Sequence, residues 1–241
     1  MGTHEAAELL GASEASVRRW SDQGLLPVER VGRRRERRFS AADVQALIDR
    51  GGSEGPAPRS GAPTALTVGS VSLSPGNHLA VFYGSDEGRL RLSLPFLVEG
   101  LTSGQPCFLI AEAPVSGYYT EALASTGLLA PSVASGLLTT ARVPGRTVGL
   151  ALAFWEAGLW GAVARGGGPI RVVGEMVSMR SLFASEKEMQ RFEVELDVLL
   201  RRFPAVALCQ YDVRGLSGEA MLLALKAHPD LFRQPLGNFL L

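Results

Sequence analysis

The sequence predicts an α/β protein in two parts, a small, mainly helical N-terminal unit and a larger C-terminal domain on a mostly parallel sheet. Three observations predict it. A glycine-, proline- and serine-rich segment, GGSEGPAPRSGAP at 51–63, interrupts the 241-residue chain. Such a composition cannot bury enough apolar surface to offset its ordering entropy. Before it, short apolar-faced stretches bounded by capping residues and glycines read as brief helices. After it, nearly continuous apolar runs alternate with amphipathic stretches, as in a sheet covered by helices on both faces. The expected divisions are a unit at 1–50, a linker at 51–76 and a domain at 77–241. The linker is carried through Gly76 because TALTVGSVSLSPGN is only weakly patterned.

In the first unit, Thr3 is placed to cap a helix carrying Ala6, Ala7, Leu9 and Leu10 on one face, with Gly11 ending it. Ser13 is placed to cap a second helix, EASVRRWSDQ, which ends at Gly24. Val17 and Trp20 lie three apart and face the first helix, which turns Arg18 and Arg19 outward. LLPVERVGRRRERRF follows, strand-like at its ends and basic in its middle. Ser40 with Asp43 signals a third helix, AADVQALID, and Phe39, Val44 and Leu47 close the small core.

A helix, a glycine turn and a second helix with outward arginines is a helix-turn-helix arrangement. In a major groove the second helix would present Ser16, Arg18 and Arg19 to base edges. GRRRERRF at 32–39 holds five arginines and one glutamate. Anchored between two capped helices, it reads as a wing whose Arg33, Arg34, Arg35, Arg37 and Arg38 neutralise phosphates and release counterions. Lysine plus arginine (24) equals aspartate plus glutamate (24) over the chain, so a polyanion has to be met by a local patch of this kind. The expected partner is double-stranded promoter DNA. EAAELLG, SVRRW and RRFSAADV, in that order and spacing, resemble the DNA-binding domain of MerR-type regulators, especially the short BldC- and excisionase-like form. That resemblance implies a winged helix-turn-helix. The long dimerising helix usual in such regulators has no counterpart after AADVQALIDR.

In the second unit HLAVFY, PCFLIAE, GLLTTAR, PIRVVGEM and AVALCQYD read as strands. DEGRLRLSLPFLVEGLTSG, SGYYTEALASTG, TVGLALAFWEAGLWGAVARG, SEKEMQRFEVELDVLLRRF and SGEAMLLALKAH read as helices, and the tail is a candidate edge strand. Ligands bind such sheets outside the carboxyl ends of the strands. Those ends carry Tyr83, Glu112, Glu175, Met176, Gln210, Tyr211 and Asp212, a set able to hold a cation or polar ligand. Each could equally cap a helix or form a turn. His78 opens its strand at the opposite end, and His228 ends a helix before a proline. Trp155 and Trp160 are expected to pack against the sheet.

Absences narrow the chemistry. No GxxxxGK[ST] follows the first strand, and GGG at 166–168 lies between a helix and a strand, where it reverses the chain. There is no nucleophile elbow and no metal-type spacing. Cys107 and Cys209 sit in apolar runs and read as small hydrophobes. The polar start of the chain does not read as a signal peptide, and no apolar run reaches the ~18 residues of a membrane span. The expected location is the cytoplasm.

HLAVFYGSDEGRLRLSLPFLVEGLTSGQPCFLIAE, then RVVGEM, then ALCQYD with LKAHP downstream, resembles the MEDS domain of DcmR-type regulators and other bacterial signalling proteins. Matching positions are His78, Phe82, Tyr83, Gly174, Glu175, Gln210, Tyr211 and Asp212. The resemblance implies a sensory domain with a RecA- or KaiC-like core lacking a phosphate loop, with small molecules as inputs. The whole reads as a transcription regulator without catalysis, with no cofactor assigned and a small-molecule effector or signalling partner, and with homo-oligomerisation as the economical means of coupling. The competing readings of the C-terminal domain are a nucleotide-binding enzyme using Glu175 or Asp212, and a protein-docking module.

Overall fold

The computed structural model describes residues 1–10, 12, 14–22, 24–50, 66–143, 147–166 and 168–241. The chain forms two compact units.

The N-terminal unit runs α1 (Thr3–Leu9), α2 (Glu14–Asp22), β1 (Glu29–Val31), β2 (Glu36–Arg38) and α3 (Ala41–Arg50). Its core is Ala6, Ala7, Val17, Trp20, Leu26, Phe39, Val44 and Leu47, all buried. Leu9 lies off the buried face of α1 and is exposed. Thr3 opens α1 but does not cap it. Gly2 is the cap residue, and its N–H donates to Glu5 Oε2 at 2.7 Å. The expected roles of Gly11 and Ser13 lie outside the described residues. Gly24, with φ 76°, takes the left-handed backbone just past α2, the conformation that glycine adopts without steric cost. Ser40 caps α3 by accepting the Asp43 N–H at 2.9 Å. The chain start is tied to the end of β2, Met1 N donating to Phe39 O and Phe39 N to Met1 O.

The C-terminal unit opens with an antiparallel hairpin, β3 (Leu66–Val68) and β4 (Val71–Leu73). This corrects the expected linker, which extended through Gly76. Leu66, Val68, Val71 and Leu73 alternate inward and are buried, and Gly69 at φ 59° permits the tight turn. The remaining elements are β5 (His78–Tyr83), α4 (Asp86–Thr102), β6 (Cys107–Ile110), α5 (Val115–Ser125), α6 (Leu129–Ala134), β7 (Leu138–Ala141), α7 (Val148–Arg165), β8 (Ile170–Glu175), α8 (Met176–Arg180), α9 (Glu186–Leu200), β9 (Ala205–Asp212) and α10 (Gly218–Ala227). The five strands from β5 onward form one sheet in the order β5-β9-β8-β6-β7, every neighbouring pair parallel. The chain end covers the β5 edge, with Phe82 N donating to Phe239 O and Leu241 N to Phe82 O. Trp155 is buried near Phe108 of the sheet, and Trp160 meets Phe203 edge-on.

Arg171 of β8 is a buried cation within the apolar stretch of that strand. Its guanidinium donates to Gln105 Oε1, Phe96 O and Glu99 Oε2 at 2.7, 3.0 and 3.1 Å. Glu99 in turn accepts from Thr67 Oγ1 at 2.7 Å, so this pair links α4 and the hairpin to the sheet. α4 approaches β8 closely at Gly100, where an added Cβ would meet Arg171 Cδ at 2.5 Å and Cys107 Sγ at 2.7 Å. Gly100→Ala is expected to destabilise the protein by about 1–3 kcal/mol through overpacking. Urea denaturation reads this as a lower midpoint, and an unchanged midpoint would contradict the packing described.

Candidate functional site

In the N-terminal unit α1 and α2 pack through small and apolar residues, and the β1–β2 hairpin is held against α2 by Arg30 and Arg37. Arg33, Arg34 and Arg35 occupy its tip and are exposed. The turn is closed by Arg35 N donating to Gly32 O at 3.0 Å. Two expected contacts are corrected. Ser16 is fully buried, because it faces the core beside Val17 and cannot reach a base edge. Arg37 is an anchor: it donates to Arg18 O at 3.1 Å, to Ser21 Oγ at 2.6 Å and to Asp22 Oδ2 at 3.0 Å. With three acceptors on α2 it fixes the hairpin against that helix, which leaves it little capacity for a phosphate. Arg38 is exposed and pairs with Glu36 at 3.4 Å. Arg18 is exposed and pairs with Glu14 one turn earlier on α2, while Arg19 is half-buried.

In the C-terminal unit the pleat of β9 separates residues that the sequence places together. Gln210 faces α4 and α5. Its Nε2 donates to Arg89 O at 2.7 Å, and its Oε1 accepts from the Tyr119 hydroxyl. Tyr83 lies on the same side, accepting from Arg89 Nε at 3.0 Å and donating to Glu175 Oε1 at 3.5 Å. Ser93 Oγ lies 2.7 Å from the Tyr119 hydroxyl and donates to Arg89 O at 2.6 Å. Burial pushes the Tyr83 phenol up to about 12, while Arg89 works against that shift. Burial disfavours the Arg89 charge, but the hydrogen bond with Tyr83 and the charge of Asp86 outweigh it and raise its pKa.

Glu175 is buried and caps α8, accepting from Val177 N at 3.1 Å and from Ser178 N at 2.9 Å. Asp212 accepts from Arg214 N and from its guanidinium, which together hold its carboxyl below the usual range. Glu112 pairs with Arg142 at 3.0 Å. Tyr211 points to the opposite face, stacked on Phe82 and edge-on to His228. Met176 is buried beside Met179 and Phe192 in a small apolar cavity. Glu112 and Glu175 line a second hollow with Arg142 and Ser178, and Tyr211 lines a third with Glu193. Each has room for little more than a water molecule or two. The strand-end residues therefore line three separate hollows and not one site, and the polar network on the α4 and α5 side leaves Arg89 Nη1 buried without a hydrogen-bond partner. Arg89 and Tyr119 complete that network and were not legible in the sequence, because each sits in an amphipathic helix whose period gives no cue that a polar side chain turns inward.

Residues 77–229 match the MEDS family, the methanogen/methylotroph, DcmR sensory domain. The chain belongs to the MEDS family. Residues 1–52 of this MEDS protein match a helix-turn-helix domain. It is 36% identical over 242 residues to the transcriptional repressor DcmR of Methylorubrum extorquens (strain DSM 6343 / CIP 106787 / DM4), with 96% of this chain and 91% of that protein covered. The β3–β4 hairpin lies ahead of the MEDS match. Among the described residues, no helix is long and apolar enough to cross a membrane.

The two classes of arginine separate experimentally. Arg37→Ala is expected to cost about 1–2 kcal/mol in urea unfolding, because it strips three hydrogen bonds, one of them to the buried Ser21 hydroxyl. Arg34→Ala should stay within about 0.5 kcal/mol of the parent, as surface substitutions do. Equal losses from both would show that the tip of the hairpin is not free.

Proposed function

We propose that this MEDS protein is a DNA-binding transcription regulator whose helix-turn-helix unit grips promoter DNA and whose C-terminal domain senses an effector. The observation that carries the reading is the solvent-facing Arg33–Arg35 tip on a hairpin pinned to α2. The repressor relative supports repression as the mode of action. Arg33, Arg34, Arg35 and Arg38 contact phosphates, while Arg18 and Arg19 of α2 take the base edges. The hairpin between α2 and α3 supports a MerR-like wing. A regulator of this kind works in the cytoplasm.

The sensing domain acts by differential affinity for two conformations, since a ligand binding both equally shifts nothing. Water-sized hollows favour an effector of few heavy atoms, or one admitted by movement of α8 or α10. Paired MEDS domains would bring two DNA-binding units together and raise avidity without any new base contact. The domain does no catalysis: Glu175 is engaged as a helix cap and Asp212 by Arg214, so neither is placed as a general base. A second reading, docking of a partner protein, draws support from how little room the strand-end hollows leave for a ligand.

Binding of the full chain to duplex DNA across a salt series tests the grip. Arg34→Ala should weaken affinity for every sequence and flatten the slope of log K against log salt by about one unit per lost phosphate. Arg18→Ala should alter sequence preference by about 1–3 kcal/mol at one position. A uniform loss from both would reverse the assignment of wing and reading helix.

A further inference from the structure

The α9 and α10 side of the sheet holds a second polar cluster that the regulator reading does not use. His78 opens β5, Cys209 lies in β9, Glu193 in α9, and His228 follows α10. All four are buried. One ligand atom from each lies within 4.8 Å of all the others. The two Nε2 atoms are 3.1 Å apart, and His78 Nε2 lies 3.0 Å from Cys209 Sγ. Glu193 Oε2 stands 3.3 Å from His78 Nε2 and 3.2 Å from His228 Nε2. Four donors held about 2.0–2.3 Å from a tetrahedral zinc ion stand about 3.3–3.7 Å from one another, so the spacing is close to that of a coordination shell.

Hydrogen bonds alone leave this cluster badly matched. His228 Nδ1 lies 2.8 Å from Ala224 O. A carbonyl only accepts, so the proton of a neutral ring sits on Nδ1 and Nε2 turns a lone pair toward His78. His78 Nε2 carries at most one proton for a nitrogen, a sulfur and a carboxylate. Neither Glu193 oxygen receives a hydrogen bond of good geometry, although both are shut off from solvent and the Tyr211 hydroxyl, the Cys209 thiol and both imidazoles crowd the carboxylate. A carboxylate in that position calls for a cation or several donors. One outer contact fits a metal as well: Ala224 O orients the His228 imidazole through Nδ1, as an outer partner aligns a metal ligand, whereas Asp197 Oδ1 stands 3.8 Å from His78 Nδ1, beyond hydrogen-bond distance. A small hollow lined by Tyr211, Ala224 and Ala227 borders the cluster at Glu193.

We infer that His78, Glu193, Cys209 and His228 form a closed, four-coordinate metal site, with zinc the ion its imidazole, thiolate and carboxylate donors suit best. Binding joins the edge strand β5 and its neighbour β9 to α9 and to the end of α10, and so fastens the helices that pack beside them. Four protein ligands leave no open position, which makes the ion structural. Ligation by sulfur releases the thiol proton, and both imidazoles bind as neutral rings.

Elemental analysis of untagged full chain purified without chelator tests the site, with about one zinc per chain expected. Stripping the metal should lower Tm, and zinc should restore it, since an ion that binds only the folded state stabilises it. Cobalt(II) added to the stripped protein should give the intense visible bands of a tetrahedral ion and a sulfur-to-cobalt charge-transfer band. Cys209→Ser should abolish that band, and His228→Gln should reduce bound metal to less than about a tenth per chain. If folded, stripped wild-type protein takes up neither cobalt in a tetrahedral site nor stoichiometric zinc, the proposal is overturned, and the cluster is a proton-sharing histidine–glutamate pair. The wild-type cobalt titration decides this even if either variant fails to fold.

Discussion

A parallel sheet covered on both faces offers its strands no water, so every polar side chain that points from them must find its partners inside the protein. This constraint organises the C-terminal domain. Arg171 meets it by gathering Gln105, Phe96 O and Glu99. Tyr83 and Gln210 meet it through Arg89 and Tyr119. His78 and Cys209 face the other way, toward Glu193 and His228. The polar residues thus join the sheet to particular helices, while the apolar runs supply the bulk of the burial.

The same constraint explains why the strand-end residues do not form one pocket. Successive residues in a strand point to opposite faces. Gln210 and Tyr211 are neighbours in sequence but serve different layers. In the N-terminal unit a corresponding division separates arginines by role. Arg37 is turned back onto α2, whereas Arg33 to Arg35 lie at the tip and face solvent. A run that looks uniform as charge is divided by hairpin geometry into an anchored side chain and a solvent-facing tip.

Much of the fold was legible in the sequence because apolar runs and capping residues carry it. Ser85, Thr147, Ser185 and Ser217 each cap the helix that follows, and the five main strands coincide with the apolar runs. The β3–β4 hairpin was hidden because two three-residue strands around Gly69 present too short an alternation to stand out from a linker. Ser16 was misplaced for a different reason: a helix of nine residues gives little periodicity from which to tell a buried serine from an exposed one. The histidine cluster left no spacing to find. Its ligands come from four elements, the two histidines 150 residues apart, and only the sheet order brings them together. In the polar groups of β5 and β9, local sequence sets the direction of each side chain, and topology chooses its partner.

The central claim is that this enclosed sheet gathers its polar side chains into fixed clusters, one of them around an ion. Anomalous diffraction from crystals of the full chain, recorded on either side of the zinc absorption edge, measures this most directly. The account predicts one strong peak about 2.0–2.3 Å from His78 Nε2, His228 Nε2, Cys209 Sγ and a Glu193 oxygen. A featureless map at that point, with the two rings and the carboxylate in hydrogen-bond contact only, would contradict it.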